Sequence, residues 1–195
     1  LIPFFVQPVY AAKPTPTPKP VVKSVCLDPG HGGTDPGAVY GGMSESNLNL
    51  SVGLNLRDRL VTDGYKVYMT RTTDVNLSNE ERYNYCNGTD ARLVVSIHQN
   101  ASTNSSVDYT EVLYAKHSDK SLAANTAGII GSALGLSSTS TNFADGVLLK
   151  TTAPAILTEA LFMSSSNETT DLQTGTRLNG EASAIESAIN SYFGN

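Results

Sequence analysis

The sequence predicts an α/β fold: a single three-layer domain with a mostly parallel or mixed twisted sheet of about six strands, covered by helices on both faces. Three observations carry that expectation. Short branched-apolar runs alternate with helical patterns in a β-α-β-α-β opening, which implies parallel strands joined by right-handed crossovers. Leu93-Val94-Val95-Ser96-Ile97 is nearly continuous in apolar residues, as in a strand buried on both faces. The chain of 195 residues is long enough for one domain with a substantial core and too short for two ordinary ones.

The elements follow in order. Leu1 to Ala12 is apolar and closed by small residues, and is read as the remnant of a secretion signal. Residues 13–22 alternate Pro with Thr and Lys, an extended polyproline spacer, so the folded domain is expected over 23–195. Lys23 to Leu27 reads as a strand delivered into the Gly-rich loop that starts at Asp28-Pro29-Gly30. From Glu45, the residues Leu48, Val52, Leu56 and Leu60 recur every fourth position, with Leu50, Leu54 and Val61 widening the stripe; this is a helix packed on a sheet. Asp63-Gly64 ends it, and Tyr65 to Thr70 is the next strand. Ser78 and Glu81 have capping-box spacing, opening a helix that runs to about Asn87-Gly88. Strands are expected at Leu93–Ile97, near Glu111–Ala115, near Val147–Lys150 and at Ala155–Thr158. Helices are expected from about Ser118 to Leu134 and from Gly180 to Tyr192.

Composition narrows the function. A chain that is 39% hydrophobic and 16% charged is not a disordered one, and a net charge of −5 disfavours nucleic-acid binding. No run of 18 apolar residues exists, so no membrane span is expected. Two cysteines exclude a disulfide scaffold or a Cys-rich zinc finger. Cys26 falls in a strand and Cys86 on the sheet-facing side of a helix; both read as buried packing residues, although an extracellular compartment would permit a bridge. P-loop, G-x-G-x-x-G, G-x-S-x-G and H-E-x-x-H motifs are all missing from the sequence.

In a mostly parallel sheet the loops that follow the strands share one edge, where ligands bind. His31, Glu45, His98 and Glu159 are all placed there: His31 just after the first strand, Glu45 at the start of the first helix, His98 and Glu159 directly past their strands. Two imidazoles and one carboxylate with an open fourth position are the usual holders of catalytic zinc, and a second carboxylate can accept a proton from water. Singly, each has a plainer reading. Glu45 could serve the helix dipole, and Glu159 could pair with a Lys or Arg. His117 reads as solvated. Arg71 and Asn100 lie on loops at the same edge, where either could hold a substrate carboxylate or carbonyl; a loop contact to Asp74 and an Asn-stabilised turn are the alternatives.

The segment Asp28-Pro29-Gly30-His31-Gly32-Gly33-Thr34-Asp35-Pro36-Gly37-Ala38 resembles the opening of the zinc-dependent N-acetylmuramoyl-L-alanine amidases. Ser44 to Leu50, Thr70 to Asp74, Ser96 to Ala101 and Pro154 to Glu159 are similar, in order, to further segments of that family. The resemblance implies hydrolysis of the amide between N-acetylmuramic acid and L-alanine in peptidoglycan; the apolar remnant and the spacer at the N-terminus point outside the cell, and a monomer is expected. It implies one zinc ion per chain on His31, Glu45 and His98, with Glu159 as general base. Other readings of the same residues are a zinc peptidase of the peptidoglycan stem and a wall-binding domain whose catalysis has lapsed. Three positions depart from the family pattern: Leu161 and Tyr109 stand where Gly is usual, and Asn142 to Val147 lacks an Arg often found there. Leu does not easily take a positive φ, so a different chain path is expected after Glu159.

Overall fold

The computed structural model describes residues 22–194. The expected signal remnant at 1–12, and all but the last residue of the expected spacer at 13–22, lie outside the described residues. The elements run β1 (Ser24–Pro29), β2 (Val39–Tyr40), β3 (Met43–Ser44), α1 (Glu45–Thr62), β4 (Lys66–Met69), α2 (Asn79–Asn87), β5 (Leu93–Asn100), β6 (Thr110–Tyr114), α3 (Lys120–Leu134), β7 (Ser138–Asn142), α4 (Gly146–Lys150), β8 (Ala155–Phe162), α5 (Thr169–Thr174) and α6 (Thr176–Phe193). The main sheet has six strands in the order β4-β1-β5-β8-β6-β7. All neighbours are parallel except β6 and β8, so the sheet is mixed.

Strand alternation divides the core between two faces. Val25, Leu27, Val95, Ile97 and Ile156 meet Val52, Leu56, Leu60, Ile130 and Ile185 in a layer that includes α1, α3 and α6. Cys26, Val94, Ala155 and Leu157 meet Cys86 and Leu148 of α2 and α4 on the opposite face. The two cysteines are not separate packing residues: they form a disulfide that ties β1 to α2. Along β5 the same alternation fixes which residues face the site. His98 points with Ser96 toward the side of α2, and Gln99 points to the side of α6.

Several expectations are corrected. Residues 147–150 form part of α4 rather than a strand, because Asp145 Oδ1 accepts from the amides of Val147 and Leu148, at 2.8 and 2.9 Å, and caps a helix there. A run of three apolar residues, Val147 to Leu149, carries no period long enough to separate the two states. The polar segment 138–142 is instead the edge strand β7, which needs only backbone pairing to β6. Val61 is 56% exposed and lies off the buried stripe of α1. The last helix starts at Thr176, and α5 and the β2–β3 hairpin had no apolar pattern to announce them. Leu161 does not need a positive φ: β8 stays a strand, and an extra residue between the pairs His98–Glu159 and Asn100–Phe162 is taken up as a bulge.

The disulfide spans a sequence separation of 60 residues. Chain-entropy arguments give a loop of that size about 4 kcal/mol of stabilisation. Replacing both cysteines by Ser should therefore shift the urea midpoint strongly downward, to the level of the reduced wild type; an unchanged midpoint would show that the bridge adds no stability.

Candidate metal centre

The site is assembled at the end of β1. Pro29, Gly30 and His31 leave the sheet there with carbonyls that no strand pairs, and two buried arginines take them. Arg71 donates to Pro29 O at 2.8 Å, Gly30 O at 2.8 Å and Ser46 O at 2.7 Å. Arg82 donates to Pro29 O and His31 O, both at 2.8 Å, and forms a 2.9 Å ion pair with Asp28. Asp28 is itself buried, and Thr70 and Ser96 hydroxyls fill its remaining acceptor sites at 2.6 and 2.8 Å. A buried carboxylate requires such partners, which is the physical reason for Arg82. Gripped in this way, His31 adopts φ of +59°, the one positive φ outside glycine among the described residues.

Three donor atoms converge from separate elements. Glu45, the first residue of α1, sets Oε1 at 3.2 Å from His31 Nε2 and 2.9 Å from His98 Nδ1. The ligand atoms of His31, Glu45 and His98 all lie within 4.8 Å of one another, so these residues could hold a metal ion. In tetrahedral zinc with bonds of about 2.0–2.1 Å, neighbouring donors sit roughly 3.3 Å apart, and the spacings of 3.2 and 2.9 Å are near that. The outer partners orient each ligand. His31 Nδ1 lies 2.8 Å from Asp35 Oδ2, which leaves Nε2 for the centre. Glu45 Oε2 accepts from Ala38 N at 3.0 Å, and Oε1 accepts from Asn49 Nδ2 and Gln99 N, each at 3.3 Å. Space is made by missing side chains: a Cβ on Gly30 would fall 2.1 Å from His98 Nε2, and one on Gly37 would fall 2.5 Å from Glu45 Oε2.

The electrostatics match a site built for a cation. Burial alone would raise the Glu45 carboxyl, yet its hydrogen bonds with His31 and His98 hold it well below the usual carboxylate range. The Glu45 contact, opposed by burial and helped by Asp35, pushes His31 up to about 9. Without a metal, a proton takes the place a metal would compete for.

Glu159 completes the constellation. His98 pairs with Glu159 across β5 and β8, and Glu159 pairs with Glu111 across β8 and β6, so the three share one row on one face. Glu159 Oε2 is buried with no hydrogen-bond partner among the described residues. Burial, together with Glu45 and Glu111 and against His98, pushes this carboxyl up to about 7. A cleft of about 330 Å³ opens over the row, lined by Gly30, His31, Arg82, His98 and Glu159 on its polar side and by Phe143 on its apolar side.

The expected site residues are therefore placed as follows. His31, Glu45 and His98 come together, and Glu159 stands beside His98; both His98 and Glu159 lie inside their strands rather than past them. Arg71 is buried, with its guanidinium bonded to main-chain carbonyls, and it does not itself line the cleft. Asn100 Oδ1 accepts from Ala101 N at 2.8 Å, an Asn-stabilised turn. His117 is exposed on a short turn before α3. Sequence reasoning missed Arg82, Asp35 and Asn49. Asn49 stands four residues after Glu45 on one helix, a spacing that was available; Arg82 could be found only from the burial of Asp28.

LytC, an N-acetylmuramoyl-L-alanine amidase of Bacillus subtilis (strain 168), is 29% identical over 180 residues, which is 89% of this chain but only 36% of LytC. Thus the chain spans about a third of that relative. The catalytic domain of the amidase CwlV from Bacillus (Paenibacillus) polymyxa var. colistinus superposes with a TM-score of 0.82 at 30% identity, covering 88% of this chain and 98% of that one. An N-acetylmuramoyl-L-alanine amidase from Clostridium difficile 630 gives 0.83 at 27% identity, with 89% and 98% covered. The family model described as N-acetylmuramoyl-L-alanine amidase matches residues 25–191, and the chain belongs to that family.

Proposed function

We propose that this protein hydrolyses the amide between the lactyl group of N-acetylmuramic acid and L-alanine in peptidoglycan, acting outside the cytoplasm. In this reading residues 23–195 are the catalytic domain, preceded by the remnant of a secretion signal at 1–12 and a spacer at 13–22. His31, Glu45 and His98 hold one zinc ion and Glu159 is the general base. The observation that carries it is the unpartnered, buried Glu159 Oε2 in the same row as one of three converging metal donors. Family membership supplies the substrate class.

When bound, zinc would supply a Lewis acid that polarises the amide carbonyl and lets water ionise near neutral pH. The protein's own groups do the rest. Arg71 and Arg82 hold the His31 loop, and Asp35 fixes the His31 tautomer, so the site is rigid before substrate arrives. Glu159 Oε2 takes a proton from the attacking water, a role suited to a carboxyl held near 7. As the C–N bond breaks, the same carboxyl returns that proton to the alanine nitrogen. The products are a lactyl carboxylate and a stem peptide with a free amino terminus.

Digestion of sacculi followed by mass spectrometry tests the bond cut. Glycan strands with bare lactyl groups and intact stems beginning at L-Ala are expected, and shortened stems would refute the assignment. Glu159→Gln should keep one zinc per chain while activity falls at least about a hundredfold; full activity would remove Glu159 from the mechanism. His31→Ala and His98→Ala should lose zinc by metal analysis. Gly30→Ala should do the same with its circular dichroism unchanged, since the new methyl group would occupy the place of the His98 ring. Normal zinc content in all three would overturn the ligand set.

A further inference from the structure

Gln99 lies between His98 and Asn100 on β5, and strand alternation turns its side chain away from the cleft, to the opposite face of the sheet. There, 1% exposed, it meets Glu181 of α6, which is 0% exposed. Gln99 Nε2 donates to Glu181 Oε1 at 2.6 Å. The other arm of each fork is unsatisfied: Gln99 Oε1 and Glu181 Oε2 are both buried without a partner among the described residues. If Glu181 were ionised, both atoms would be acceptors with no donor within reach, an arrangement that costs about 1–3 kcal/mol for each stranded group. One proton on Glu181 Oε2 turns it into a donor and gives both orphan atoms a partner in a single bond.

No cation takes the place of that proton. Arg177, one turn earlier on α6, spends Nη2 on Glu168 at 2.6 Å and on Leu134 O at 3.0 Å, and its Nε, also buried, makes no hydrogen bond to Glu181. On α1, Arg59 is bonded to Glu186 at 3.0 Å and Glu45 belongs to the metal centre. On α3 the sole charged residue is Lys120, at the first position. The remaining charges that act on Glu181 are the carboxylates of Glu168 and Glu159, which oppose its ionisation.

We propose that Glu181 is a neutral carboxylic acid, joined to the Gln99 side-chain amide by two hydrogen bonds, and that this pair is a positioning device that fixes β5 from behind while His98 and the main-chain N–H of Gln99 face the site. Gln99 N already donates to Glu45 Oε1, so the same residue braces the site with its main chain and anchors to α6 with its side chain. Burial, outweighing the Gln99 contact and Arg177, pushes the Glu181 carboxyl up to about 8. The sign follows. Unfolded, the group releases its proton near its ordinary value of 4.5; folded, it keeps it to about 8. The native state therefore binds the extra proton in that window, and stability from this group is lost as pH rises from about 5 to 8 and is flat above.

Glu181→Gln supplies the test, because an amide at 181 can both donate and accept with no proton to lose. Urea unfolding of the zinc-free proteins across pH 5 to 9 should show the folding constant of the wild type falling relative to Glu181→Gln, by up to about tenfold per pH unit between 5 and 8. The infrared spectrum of the wild type at pH 6.5 should contain a protonated-carboxyl stretch that Glu181→Gln lacks. Zinc affinity at pH 7 should be equal in wild type and Glu181→Gln and at least tenfold weaker in Glu181→Ala, a rescue that mere volume at 181 does not predict. This last arm rests on the proposed metal site; the first two do not, and they stand if Glu181→Ala fails to fold. A pH-independent stability difference, a spectrum without the carboxyl stretch, or a Glu181→Gln protein as impaired in zinc binding as Glu181→Ala would each overturn the proposal.

Discussion

A single oxygen, Glu45 Oε1, is the point around which the site is arranged. It is approached by His31 Nε2 from the loop after β1, by His98 Nδ1 and Gln99 N from β5, and by Asn49 Nδ2 from the next turn of its own helix. Such convergence is possible because α1 begins at the edge where β1 and β5 end, so its first side chain crosses from one layer of the fold to the other. A carboxylate there is stabilised by protons when no metal is present and would be stabilised by a divalent cation when one is. The same donors serve both cases.

Holding those donors still requires a polar layer beneath them. Asp28, Arg82 and Arg71 are buried, and the loop carbonyls from Pro29 to His31 depend on the two guanidinium groups. Replacing a buried ion pair by apolar residues is often harmless to stability, whereas stranding one charge costs about 3–5 kcal/mol. Stability alone does not account for the network, then. Its geometry does: planar guanidinium forks reach several carbonyls at once and hold His31 in a backbone conformation that a side-chain-bearing residue otherwise avoids.

Two glutamates, each with a buried and unpartnered carboxyl oxygen, lie beside β5 on opposite faces of the sheet and solve the problem of buried charge in different ways. Glu159 keeps one oxygen without a partner and faces a cleft that water and substrate can enter. Glu181 faces a sealed layer and has an amide within reach. The first arrangement suits proton transfer, because an unsatisfied acceptor that opens on a cleft has something to gain from a proton. The second suits fixation, since a carboxylic acid and an amide can satisfy each other. Alternation along one strand assigns His98 and Gln99 to these two environments.

The sequence by itself determined the α/β class, the order of the long elements and the four residues, His31, Glu45, His98 and Glu159, that meet at one edge of the sheet. Apolar periodicity reports burial directly, and the segments around His31, Glu45, His98 and Glu159 are local enough to be recognised one at a time. It misassigned 147–150 and passed over 138–142, where edge pairing and a cap decide the conformation and hydrophobicity does not. Tertiary structure alone decided the remainder. Arg71, expected on a loop at the active edge, became a buried carbonyl clamp; Cys26 met Cys86; Arg82 met Asp28; Glu181 met Gln99. Each of these is a pairing between polar or reactive groups far apart in the chain. Such pairings leave no period in the sequence, because only the folded interior, by removing water, forces each buried group to find its partner.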